Sequence, residues 1–205
     1  FDVIDDLSTK PAEDRGDGVL ISCNTIKKAQ SIALSLQKKY KSSEWRVQLI
    51  TSTIRPYTRE AEHYFDGNTI TVATQTIEVG VDINCCSLIT EMAGLSALIQ
   101  RVGRLNRNGK ISDAQGFIVG KVKYDEIFKE KIFAPDAAEI LIYDKDALDE
   151  AWRALHNCAD DLGVIRKMPD ISEYPAAWPP MARTVPLKPY MKAMTMTQPS
   201  VDFPW

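Results

Sequence analysis

Residues 96–110, reading SALIQRVGRLNRNGK, carry Arg101, Arg104, Arg107 and Lys110 with no acidic residue among them. Read as a helix, with side chains about 100° apart, Gln100, Arg104 and Arg107 fall on one stripe at i, i+4 and i+7. Leu98, Val102 and Leu105 form the same stripe two residues earlier, on the opposite side. The pattern predicts a helix over 96–106 with one face for the core and another presenting an amide and two guanidiniums, and Gly109 as a stop. Planar, permanently charged forks at fixed spacing suit a polyphosphate. On spacing alone an ordinary basic surface helix is the alternative.

Residues 70–84, ITVATQTIEVGVDIN, complement this segment. A strand ending in Thr74 and Gln75 and followed by Gly80 and Asp82 sets a hydroxyl, an amide, a bare backbone and a carboxylate just past the carboxyl end of a sheet strand. Open α/β sheets bind ligands at that rim. Gly80 permits a phosphate to approach backbone N–H groups, and Asp82 can accept from a ribose hydroxyl. A glycine turn capped by Asp82 is the bland alternative.

The elements that must position these residues follow from hydrophobic period. Residues 18–22, 47–50, 70–73, 87–90 and 117–119 read as short strands. Ile26, Ala29, Ala33, Leu36 and Tyr40 recur at helical spacing behind Asn24 or Thr25 as a cap, and residues 59–65 suit a short helix after Pro56. Alternation with short loops predicts a parallel sheet with helices on both faces. Beyond Lys123 the character changes: residues 135–161 hold eight acidic side chains against Lys145 and Arg153, with helical spacing at Leu148, Trp152 and Leu155. Eight of the eleven prolines lie in residues 169–205, which predicts an extended course there, and Trp178, Tyr190, Phe203 and Trp205 favour docking on the body. The expected organisation is a linker over 1–14, one α/β unit over 15–122 and an accessory segment over 123–205.

Composition sets outer bounds. The 205 residues carry 25 basic and 28 acidic side chains, a net charge of −3, with 44% hydrophobic residues, as in an ordered globular chain with a sizeable core. Mild acidity argues against coating nucleic acid by bulk charge, so any basic surface is local. No apolar run reaches the length of a membrane span and the start resembles no signal peptide, which predicts a cytoplasmic protein. The first residue, Phe1, hints at a piece of something longer. Cys23, Cys85, Cys86 and Cys158 form no CxxC pair and lie far from His63 and His156, which argues against a zinc site or disulfide framework.

Together the two chemistry-bearing segments resemble motifs V and VI of the second RecA-like lobe of superfamily 2 helicases. Motif VI of that family, Q-x-x-G-R-x-x-R, is matched by Gln100, Gly103, Arg104 and Arg107. Residues 19–25 resemble motif IV, and residues 51–59 the segment after it. Within the superfamily the chain is most similar to the CRISPR-associated helicase-nuclease of type I interference systems, whose motif V, A-T-Q-x-x-E-x-G-x-D-I, is matched by Ala73, Thr74, Gln75, Glu78, Gly80, Asp82 and Ile83.

The resemblance covers about residues 15–122 and implies a RecA-like fold with a helical and proline-rich C-terminal accessory segment. By it, Arg107 is the arginine finger at the γ-phosphate, Arg104 assists, Gly80 lies near the phosphates, Asp82 meets the ribose, and Gln100 couples nucleotide to lobe closure. Thr25, Ser52, Thr74 and Gln75 are the residues for a single-stranded DNA backbone, with capping as the alternative for the hydroxyls. Glu78 stands where many RNA-helicase relatives carry a basic residue.

Missing motifs are equally informative. No G-x-x-x-x-G-K-[ST] string and no Asp-Glu-x-Asp or Asp-Glu-x-His string occurs, so ATP and Mg²⁺ are expected to be bound mainly by a first RecA-like lobe. His63 precedes Tyr64 and His156 precedes Asn157, so the HD nuclease domain is expected elsewhere too. The implied partners are single-stranded DNA, that first lobe and nuclease domain, and a CRISPR RNA-guided surveillance complex, in a prokaryotic cytoplasm. The fragment alone is expected to be inactive. A non-catalytic nucleic-acid-binding or scaffold module, and a superfamily 2 lobe from repair or restriction, are the competing readings.

Overall fold

In the computed structural model, residues 2–7, 9–52, 65–78, 81–126, 130–135, 140, 142–159 and 165 are described. Apolar runs rich in branched residues form strands β1 (Val19–Ser22), β2 (Arg46–Ile50), β3 (Thr69–Ala73), β4 (Ser87–Glu91) and β5 (Gln115–Val119). They make one parallel sheet in the order β2-β3-β1-β4-β5, with Val19 level with Ile70 on one side and Ser87 on the other. Every residue of β1 and β3 is buried, as a parallel sheet covered on both faces requires.

The two covers differ. Val19, Ile21, Ile70 and Val72 pack beneath helix α2 (Ile26–Lys39), which presents Ala29, Ala33 and Leu36 at i, i+4 and i+7. Helix α1 (Asp2–Leu7) joins that layer. The other face carries Leu20, Ile50 and Leu88, packed with Ile77, Ile83, Val102 and Leu105. Helix α3 (Leu95–Val102) connects β4 to β5, and its Leu95 and Leu98 share a further core with Leu148, Ala151, Ala154 and Leu155 of helix α4 (Lys145–Cys158). Between β5 and α4 lies an antiparallel ribbon of β6 (Val122–Asp125) and β7 (Glu130–Phe133), whose Phe133 ring stacks on Trp152 at 5.8 Å.

The chain leaves β1 toward β2, and leaves β4 the opposite way toward β5, so a crevice opens beyond the carboxyl ends of β1 and β4. Gly18 lets the chain enter β1: its φ is +77° and a Cβ would stand 2.1 Å from the Thr69 carbonyl oxygen.

The five strands and α2 stand where the sequence places them, within a residue or two, and α4 carries the helical spacing expected at Leu148, Trp152 and Leu155. Four expectations differ or fall outside. The linker expected over 1–14 contains α1, with Ile4 and Leu7 buried in the core and Asp5 accepting from Lys39 Nζ at 2.7 Å and Tyr40 OH at 2.8 Å. The β6–β7 ribbon has no counterpart in the sequence reading. The helix expected over 96–106 ends at Val102. The helix expected over 59–65 lies almost wholly outside the described residues, as does the proline-rich stretch from 169 with its four aromatic residues.

All four cysteines are free, with Cys23, Cys85 and Cys86 buried and Cys158 exposed. Burial pushes the Cys23 and Cys85 thiols up to about 12 and raises Cys86 as well. A maleimide at neutral pH is therefore expected to label one thiol, Cys158, in the native chain and four in denaturant, as counted by intact mass.

Candidate functional site

Three loops meet at the crevice: residues 23–25 after β1, 74–78 after β3 and 92–94 after β4. The first is held against the third because Asn24 N donates to Glu91 Oε2 at 2.7 Å and Asn24 Nδ2 to the Met92 carbonyl at 2.8 Å. The second joins through Gln75 Nε2, which donates to the Asn24 carbonyl at 3.1 Å. Lys28, on the first turn of α2, forms an ion pair with Glu91.

Beneath these loops lies Arg101, 0% exposed. Its Nε donates to Glu78 Oε1 at 2.9 Å, and its Nη1 has Asn24 Oδ1 at 3.1 Å, Thr90 Oγ1 at 3.0 Å and the Glu91 carbonyl at 3.3 Å. Its Nη2 donates to Tyr143 OH at 2.8 Å. Burial pushes the Tyr143 phenol above its ordinary pKa, with the nearby Arg101 charge opposing.

The residues expected on one helical stripe sit in different settings. α3 stops at Gly103, whose N–H donates to the Ile99 carbonyl, and the chain then turns to run beside Cys85. Cys85 N donates to the Arg104 carbonyl and Asn106 N to the Cys85 carbonyl, both at 2.9 Å, so tertiary hydrogen bonds take up backbone groups that helix continuation needs. Asn106 adopts φ +45°, and its side chain both donates to and accepts from the Ile111 backbone. Gln100 is thus exposed on the helix, while Arg104 and Arg107 project from the turn beyond it.

The turn brings the two arginines to Glu78 and Asp82. Arg104 Nη2 donates to the Glu78 carbonyl at 3.0 Å, and its Nε is buried with no hydrogen-bond partner among the described residues. Arg107 Nη1 donates to Asp82 Oδ1 at 2.6 Å, with the two side chains 48% and 86% exposed. Gly80 lies outside the described residues. Arg107 and Asp82 therefore meet at the surface, beyond the end of the helix that carries Gln100.

The strand-facing candidates also lie on the carboxyl rim, after β1, β2 and β3. Thr25 caps α2, its Oγ1 accepting from Lys28 N at 3.2 Å, and Ser52 is exposed. Thr74 is buried, its Oγ1 3.3 Å from Thr76 Oγ1, and its N–H donates to the Ile50 carbonyl. Among the described residues no group of three His, Cys, Asp or Glu side chains could hold a metal ion. The rim carboxylates Glu78, Asp82 and Glu91 are each paired with a cation, Arg101, Arg107 and Lys28 respectively.

Sequence reasoning missed Asn24, Glu78, Thr90, Glu91 and Tyr143 as a connected set, and assigned no role to Arg101. One signal was present: Arg101 follows Leu95 and Leu98 at intervals of three, on the core face of α3.

Residues 15–110 match the family described as CRISPR-associated nuclease/helicase Cas3, C-terminal. Among solved structures, a CRISPR-associated protein is 21% identical with a TM-score of 0.57, covering 76% of this chain and 19% of its own. T. fusca Cas3-AMPPNP is 16% identical with a TM-score of 0.56, covering 70% and 18%. A CRISPR RNA-guided surveillance complex, pre-nicking, gives 16%, 0.54, 87% and 23%. The chain thus spans about a fifth of the length of the structures it resembles, and the likeness establishes the RecA-like α/β fold. No curated protein matches. No helix among the described residues is long and apolar enough to cross a membrane.

Proposed function

We propose that the chain, whose residues 15–110 match the Cas3 C-terminal family, is the C-terminal motor lobe of an ATP-dependent DNA helicase or translocase in CRISPR type I interference. The observation that carries the reading is the position of the two motif arginines: both lie beyond the helix end, Arg104 on the Glu78 carbonyl and the exposed Arg107 on Asp82.

The exposed Arg107–Asp82 pair is worth about 0–1 kcal/mol, so its exchange for a triphosphate on a facing lobe costs little. Asp82, released, is free to accept from a ribose hydroxyl. Arg107 and Arg104 then meet the charge that develops on the transferred γ-phosphoryl, where such a finger contributes ~10³–10⁵ in rate. Of the residues proposed for the DNA track, Thr25, Ser52 and Gln75 are accessible on the rim and Thr74 is buried beneath it; backbone contacts from short polar groups track single-stranded DNA without reading bases. Mg²⁺ belongs to the other lobe in this reading, as does the bulk of ATP. The surveillance complex and the HD nuclease domain are the partners of the whole protein.

The test separates the chain from the whole. The purified 205-residue chain is expected to hydrolyse ATP no faster than buffer, while a polypeptide that also carries the P-loop lobe hydrolyses ATP on addition of single-stranded DNA. A robust metal-dependent rate from the chain alone overturns the reading.

A further inference from the structure

Glu78 is held from two directions by two arginines of the same segment. Its carboxylate accepts from Arg101 Nε at 2.9 Å, and its backbone carbonyl accepts from Arg104 Nη2 at 3.0 Å. Arg101 cannot drift, because its remaining donors are taken by Asn24, Thr90, the Glu91 carbonyl and Tyr143 in a fully buried setting. Arg104 by contrast has a buried Nε without a hydrogen-bond partner among the described residues, and its fork is held at Nη2 by the Glu78 carbonyl. A displacement of Glu78 is thereby transmitted to Arg104.

From this geometry we infer that Arg101 is a positioning residue for Arg104, acting through Glu78, and that Tyr143 anchors it from outside the family segment. Tyr143 lies beyond residue 110, packed against the α3–α4 core, so the part of the chain read as accessory helps to complete the site. This deepens the proposed function and rests on it only for the role given to Arg104. Misplacing a charge that acts on developing negative charge lowers turnover more than substrate binding, because the lost interaction belongs to the transition state.

Two arms test it. In the 205-residue chain, the side-chain Nε–H resonances of Arg101 and Arg104 are followed by NMR and assigned by their loss in Arg101→Lys and Arg104→Lys. Glu78→Gln is expected to speed Arg101 Nε–H exchange at least ~10-fold and to move the Arg104 resonance. Tyr143→Phe, which keeps the ring and serves if Glu78→Gln does not fold, moves the Arg104 resonance in the same direction. In the whole ATP-hydrolysing protein, Tyr143→Phe lowers kcat about 10-fold with KM for ATP within about twofold. An Arg104 resonance that stays fixed while that of Arg101 responds overturns the inference. If the wild-type whole protein hydrolyses no ATP, the proposed function fails, and the NMR arm alone decides the coupling.

Discussion

Arg107→Ala, introduced into the whole protein, is expected to lower single-stranded-DNA-stimulated ATP hydrolysis about a thousandfold while leaving DNA affinity within about twofold. The argument combines position with exposure. Arg107 projects beyond the end of α3, half exposed, and pairs with Asp82, which is more exposed still. Surface pairs of this kind contribute about 0–1 kcal/mol, so the melting temperature should fall by no more than ~2–4 °C. Loss of hydrolysis without loss of stability or DNA binding marks a residue used only when the lobes close. Equal losses in hydrolysis and DNA binding would assign Arg107 to the DNA track or to the fold.

The second large effect comes from six residues earlier in the sequence and has the opposite character. Arg101→Ala is expected to cost about 3–5 kcal/mol of unfolding free energy, because it strips the Glu78 carboxylate of its guanidinium and orphans the acceptors at Asn24, Thr90 and Tyr143. In urea the midpoint falls with the slope unchanged, and the thermal transition drops by on the order of 10 °C. An unaltered midpoint would show that the guanidinium is not paired as described. Two arginines six positions apart in one motif are thus separable by experiment, one by turnover and one by stability.

What was legible in the sequence, and what was not, divides along the same line. β1 and β3 could be read because strands covered on both faces are continuous apolar runs, and α2 because Ala29, Ala33 and Leu36 keep a helical period behind a threonine cap. The resemblance put Arg107 and Asp82 in one site, but their ion pair was not anticipated, and the helical stripe drawn through Gln100, Arg104 and Arg107 breaks at Gly103. Residues 103–107 keep a helical pattern on paper, but the backbone hydrogen bonds that end the helix come from Cys85, a tertiary partner that no local period reveals. Arg101 was hidden for a related reason. Burial of a guanidinium depends on acceptors drawn from four separate segments, the last of them 42 positions away at Tyr143, and none is informative alone. Likewise the apolar residues of α1 are too few to announce a docked helix, yet Ile4 and Leu7 enter the core.

The shared core of α3 and α4 bears on how this lobe can be cut or transplanted. Leu95 and Leu98 lie inside the recognisable family block, whereas Phe133, Leu148, Ala151 and Leu155, which shield them from water, lie downstream of it. A graft that stops at residue 110 would also forfeit β5 and lay bare an oily flank beside the very helix that feeds the arginine turn. The smallest portable form of this lobe therefore runs at least to the end of α4, and recombination that respects only the matched block would carry the signature without the support beneath it.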